Sequence, residues 1–414
     1  MKSFFLLKFV ILAAVAYQAF KCLYIFESGV AGMLMLATIR LKIKMRILTL
    51  TAIIFILIFT AKSEAQNITY NHIIDSTDSE VKLVMKLFED YITSKSEYAN
   101  ENPFWNQQEQ KQHKDYDFLE SEFQPSLYMG FPVHVLSIKS KDNVFEIKAQ
   151  FGMCQENQEL YVLAIVNYYA KKENGKYKLY NALSINREKW NHRRVGYIDF
   201  YYPLYHKFNK TKAKKLNEFI GEISDNFDVK PIPIEYYFAD DFDEVQELKG
   251  VDYYIGMGGE IKPSGRAGGD KVYSGGMEEY YPHEVFHVQI DAHYPDKYYW
   301  VSEGLATLLG GSRGKPLEWH LKRTNEYLER HPEVDLNNLL ELVNLDEYTD
   351  YHYSLGGLIV KLIYEKGGWK MVKEFMRSGN SEENYYLAIE KHLGVKRDAL
   401  NAYLRKKLKE QTNE

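Results

Sequence analysis

At 414 residues the chain is too long for one ordinary domain and suits two or three. With 45% apolar residues it can bury a real core, and its net charge of −5 gives no general reason to expect a nucleic-acid partner. Two cysteines exclude a disulfide-stapled scaffold and any multi-cysteine zinc ribbon.

The first 65 residues read as a leader. Residues 47–60 carry no charge, follow Arg40, Lys42, Lys44 and Arg46, and precede Ser63-Glu64-Ala65, with small residues at −3 and −1 of a cleavage site. A basic region, a short apolar run and a small-x-small site describe a secretory signal peptide. The run is short for a membrane span, which needs about 20 apolar residues. Cleavage is expected after Ala65, giving a secreted or periplasmic chain from Gln66 with no stable membrane insertion. Met45 would make a normal signal start, so residues 1–44 are expected to be a gene-start artefact; if they are translated, Phe4–Phe20 is a membrane anchor. Cleavage removes Cys22 and leaves Cys154, expected to be a small buried hydrophobe.

Residues 66–205 read as a helix followed by strands. Thr77-Asp78-Ser79-Glu80 is a capping box, and Val81, Val84, Phe88 and Tyr91 recur at helical spacing. Strands are predicted at 133–140, 144–151, 160–170, 177–185 and 195–202, with turns at Lys141-Asp142-Asn143 and Asn174-Gly175. Helix plus antiparallel meander makes an α+β layer. The element order and the hairpin Asn174-Gly175-Lys176-Tyr177-Lys178-Leu179 loosely resemble the cone-shaped domain of the nuclear-transport-factor-2-like superfamily. No catalytic constellation stands out here, so binding or scaffolding is the expected role.

The pattern changes near Tyr202-Pro203, where a domain boundary is placed at about residue 205. A helix at 210–223 turns Leu216, Phe219, Ile220 and Ile223 to one face. Short strands follow at 234–238 and 253–255, then a Gly-rich connection at 256–269. Residues 270–275 are expected to form an edge strand lining a cleft, since such strands hold extended peptides. Helices dominate from there to residue 414.

His283-Glu284-Val285-Phe286-His287 is an H-E-x-x-H motif. On a helix, positions i and i+4 share a face, so both imidazoles reach one ion, and the Glu beside the first ligand can hold a water as general base. Zinc in a catalytic site takes three protein ligands. Two candidates compete for the third place. His293 fits the metzincin spacing, but that pattern needs Gly where Ile290 stands, and a β-branched residue is a poor choice for a positive-φ turn. Glu303, in Trp300-Val301-Ser302-Glu303-Gly304-Leu305-Ala306, opens a second predicted helix that Ser302 could cap. It is favoured over His293.

H-E-x-x-H paired with W-x-S-E-G-x-A resembles the gluzincin metallopeptidases, in particular the peptidase-MA-like group, over residues 210–414. The resemblance implies a thermolysin-like domain: a short sheet, the H-E-x-x-H helix, the Glu-bearing helix and a mainly helical lobe. It implies one zinc ion per chain on His283, His287 and Glu303, with Glu284 as base. It also implies an oxyanion-stabilising side chain on a later helix, for which Tyr353 is the first candidate and His352 the second.

There are departures. Thermolysin-type proteins often carry an acidic residue four positions after the Glu ligand, orienting the first His. Here that residue is Thr307, with Asp291 as a possible substitute. Gly276-Met277-Glu278-Glu279 is similar to the Gly-x-Met-Glu-Asn motif of zinc aminopeptidases, but it abuts the metal helix and ends in Glu, so it is read as coincidence. The expected function is an exported zinc metallopeptidase acting on a peptide or protein, with specificity on loops 256–269 and 313–317. The alternatives are a catalytically weak or inactive peptidase-like binding or assembly module, or a metal-free helical protein with a chance motif.

Overall fold

The computed structural model describes residues 67–94, 102–112, 131–155, 159–258 and 264–412. The expected leader, with its start, cleavage site and alternative anchor, lies outside them. Among the described residues no helix is long and apolar enough to cross a membrane.

The chain begins with β1 (Ile68–Tyr70), α1 (Ser79–Ser94) and α2 (Gln107–Gln112). A meander follows: β2 (Val133–Lys141), β3 (Val144–Cys154), β4 (Leu160–Glu173) and β5 (Lys176–Tyr180). Next come α3 (Ala182–Asn186), β6 (Asn191–Val195), β7 (Ile198–Tyr202), α4 (Lys210–Phe227), β8 (Ile234–Ala239), α5 (Phe242–Leu248) and β9 (Val251–Tyr254). The hairpin β10 (Ser264–Gly268) and β11 (Lys271–Gly275) precedes the helices α6 (Pro282–Ile290), α7 (Tyr299–Gly310), α8 (Leu317–Arg330), α9 (Tyr351–Met376), α10 (Glu382–Leu393) and α11 (Leu400–Thr412).

The fold is α+β, as the sequence predicts, with two sheets and a helical C-terminal region. The first sheet runs β1-β2-β3-β4-β5, with β9 also on β4; the second runs β10-β11-β8-β7-β6. Asp142-Asn143 and Asn174-Gly175 all have positive φ, as two-residue hairpin turns require. The α1 cap is Asp78 rather than Thr77: its carboxylate accepts from the N–H groups of Glu80 and Val81.

Four local expectations need correction. The strand predicted to run to Ile185 stops at Tyr180, because Asn181 caps α3 by accepting from the Leu183 N–H at 2.8 Å. Strands β6 and β7 belong to the second sheet and β9 to the first, so a cut at residue 205 crosses the pairing of both sheets. β11 is not an edge, since it pairs with β8 on one side and β10 on the other; β10 is the edge. Cys154 is exposed, because it ends β3 opposite Leu160, at the loop end of the β3–β4 hairpin.

One core lies on the first sheet, where Phe88, Tyr91, Trp105 and Tyr168 pack ring against ring. The larger core joins the second sheet to the helices. It takes Leu216, Ile220 and Ile223 from α4, Val285, Phe286 and Ile290 from α6, and Leu305 and Ala306 from α7. Burying a side chain of this size contributes about 1.5–3 kcal/mol, so α6 is held by its apolar face while its polar residues are carried to one place.

Candidate metal centre

Helix α6 starts at Pro282, which is suited to a first helical position because it has no N–H to leave unpaired. Ile290 stays helical and fully buried, and its carbonyl accepts from the N–H groups of His293 and Tyr294. The tight glycine turn of the metzincin pattern is therefore absent here, and His293 sits exposed in the turn after the helix. Helix α7 begins at Tyr299, so Ser302 is inside it rather than its cap.

The chain brings His283, His287 and Glu303 together. Their donor atoms form one group that could hold a metal ion. His283 Nε2 lies 3.4 Å from His287 Nε2 and 3.3 Å from Glu303 Oε2, and His287 Nε2 lies 3.6 Å from Glu303 Oε1. Tetrahedral zinc bonded at about 2.0–2.1 Å separates its ligand atoms by about 3.3–3.4 Å. The two imidazole nitrogens match that spacing, and each faces a different oxygen of the Glu303 carboxylate at a comparable distance.

The outer nitrogens fix the tautomers. His283 Nδ1 donates to the main-chain oxygen of Gly311 at 2.6 Å, leaving its Nε2 lone pair for the centre. His287 Nδ1 faces Asp291 Oδ2 at 3.3 Å and Ser302 Oγ at 3.4 Å. Lys297 holds the other Asp291 oxygen at 2.7 Å. With His287 deprotonated, two imidazole lone pairs and a carboxylate face one another, an arrangement compatible with a metal ion.

The electrostatics agree. Burial pushes His287 down, but Asp291 and Glu303 outweigh it and bring its pKa up to about 10. Burial would raise Glu303, yet His283 and His287 hold it far below the carboxylate range. Asp291 is likewise raised by burial and lowered more strongly by His287 and Lys297.

Asp291 thus supports the second histidine, not the first. The first is oriented by backbone: the Gly311 N–H donates to the carbonyl of Thr307, and the Gly311 oxygen takes the His283 proton. Gly310 permits this, because a Cβ there would fall 2.5 Å from the main-chain nitrogen of His283. Neither the Gly311 carbonyl nor Lys297 carried a sequence signal. The Asp291 spacing did, since i+4 from His287 is one turn along the same face.

Glu284 is nearly buried and makes no hydrogen bond or ion pair among the described residues. The Tyr353 ring stands edge-on to His283 with centroids 5.8 Å apart, and its hydroxyl has no hydrogen-bond partner among the described residues. Burial, then Glu303, raise the Tyr353 pKa, so the hydroxyl stays protonated. His352 is engaged elsewhere: Nε2 lies 3.1 Å from Tyr299 Oη and 3.6 Å from Asp350 Oδ2. Burial lowers its pKa to about 4, leaving a neutral imidazole.

Beside His287 and Asp291 opens a cavity of about 500 Å³, walled by Ile232, the Gly269-Asp270 turn of the edge hairpin, and Lys111 from α2. Glu279 takes no part in the centre. It accepts from the Asn209 N–H at 2.5 Å and pairs with His206 at 2.8 Å.

No protein-family profile matches the chain, and no curated protein does. Among solved structures, the chain is similar to a variant of a two-domain M1 zinc metallopeptidase bound to L-arginine, at 11% identity and a TM-score of 0.30. The match covers 68% of this chain and 62% of that one, so the chain spans less than two thirds of that protein.

Proposed function

We propose that the chain is an exported zinc-dependent peptidase. The observation that carries the reading is the cluster of His283 Nε2, His287 Nε2 and the Glu303 carboxylate, the two nitrogens 3.4 Å apart and facing its two oxygens at 3.3 and 3.6 Å, with both Nδ1 atoms tied back to the protein. Zinc held by these three residues would supply a Lewis acid that polarises the scissile carbonyl and makes water more acidic. Glu284, unpaired and at the ligands' own turn of helix, accepts the proton of the attacking water and passes it to the leaving amine. Tyr353 donates its O–H to the carbonyl oxygen as negative charge builds there, with neutral His352 as the second candidate. The exposed Lys111 on the cavity wall supports a substrate-contacting role for the first half of the chain. Export is carried by the leader pattern at residues 40–65.

The test is Glu284→Gln with metal analysis and digestion of an unstructured protein. The expected result is one zinc per chain in both forms, with turnover only in the parent. Full activity in the variant overturns the mechanism. Zinc without turnover in the parent leaves a binding or assembly module.

A further inference from the structure

The turn after α7 carries a charge that the mechanism does not use. Ser312 and Lys315 exchange both backbone hydrogen bonds at 2.9 Å, so Arg313 and Gly314 form a two-residue loop, with φ of 47° and 72°. Such a loop favours Asn-Gly or Gly-Gly, and a long side chain at its first position is strained. Strain of this kind persists where the surroundings enforce it, and it collects at ligand sites.

The loop is rooted in the metal centre. Gly311 holds His283, Ser312 is buried, and the Ser312 carbonyl lies 3.1 Å from His320 Nε2. His320 Nδ1 in turn meets Thr349 Oγ1 at 2.9 Å, one residue before the cap of α9. The loop therefore cannot swing away without moving the first ligand. Arg313 is half-buried, yet it makes no hydrogen bond and no ion pair among the described residues. Its positive field reaches Tyr281, Asp350, His352 and Tyr353, which come from both sides of the centre.

We propose that Arg313 is the specificity residue of the cleft and binds a carboxylate of the peptide through its guanidinium fork. The proposal rests on the peptidase reading above. Arg matches a carboxylate with two parallel N–H···O bonds, whereas Lys offers a point charge. A carboxylate reaches the loop from the peptide C-terminus or from an Asp or Glu side chain.

The experiment is calorimetric binding of short peptides to the zinc-loaded full chain carrying Glu284→Gln, so that no peptide is consumed. Each peptide is compared with its C-terminal amide and with a Glu-to-Gln version. One of the two replacements is expected to weaken binding about tenfold, the order of a charge-assisted hydrogen bond. Amidation identifies the C-terminus as the source, and the Gln version identifies a side chain. Adding Arg313→Asn, which suits the positive φ, removes the preference while zinc content and melting temperature hold; Arg313→Lys retains part of it. The proposal is overturned if neither replacement matters, if no peptide binds, or if Arg313→Asn keeps the preference. Preferential binding by a protein whose parent cleaves nothing instead sinks the peptidase reading and leaves Arg313 as a carboxylate site.

Discussion

Gly304 of α7 lies against Gly356 of α9 so closely that a Cβ on Gly304 would fall 2.5 Å from the Gly356 carbonyl carbon. This backbone contact sets how near Glu303 comes to the Tyr353 turn. Gly304→Ala must push the helices apart, and overpacking of this kind costs about 1–3 kcal/mol. The expected result is a lower melting temperature and weaker zinc binding, measured by scanning calorimetry and chelator competition. Unchanged zinc affinity would show that the crossing does not position Glu303.

Asp291 supports His287 while being held by Lys297. Removing such an outer partner typically costs 10–100-fold in metal affinity. Asp291→Asn is expected to weaken zinc binding by about that factor, and His287→Ala to abolish it. An Asp291→Asn protein with parental affinity in a chelator titration would show that Ser302 alone orients the ring.

Protonation of the metal-free centre gives a pH dependence with a defined sign. His287, raised to about 10, contributes stability that is complete below its unfolded pKa of about 6.5 and is lost as pH rises toward 10. Glu303, held low, contributes stability present above about 4.5 and lost as pH falls. The chelated protein is therefore expected to melt highest between these limits. His287→Ala should flatten the alkaline limb. Zinc must displace the His287 proton, so its apparent affinity should rise about tenfold per pH unit between 7 and 9. A pH-independent affinity over that range would contradict the raised pKa.

The centre was legible in the sequence where it depends on local periodicity. His283 and His287 share a face because α6 is helical, and Ile290 closes the metzincin route by side-chain shape alone. The rest needed tertiary structure. The Gly311 carbonyl that orients His283 is a backbone atom, without a residue type to betray it. Asp291 was visible as an acid one turn beyond His287, but only the folded chain brings Lys297 onto its other oxygen. Strand membership failed for the same reason: β6 and β7 alternate like the meander before them, and only pairing with β8 assigns them to the second sheet.

Tyr353 and His352 separate in one kinetic comparison. Tyr353 borders His283 with a free hydroxyl, whereas His352 already engages Tyr299 and Asp350. Loss of one oxyanion donor costs about 10²–10³ in kcat. On the proposed reading, Tyr353→Phe lowers kcat by about that factor with KM and zinc content nearly unchanged, because the interaction forms only as charge develops. His352→Ala is expected to cost much less. Its folded-state pKa of about 4 means that its protonation does not shape the activity profile above pH 6. If His352→Ala shows the large kcat loss and Tyr353→Phe does not, the oxyanion role passes to His352, acting through a neutral N–H.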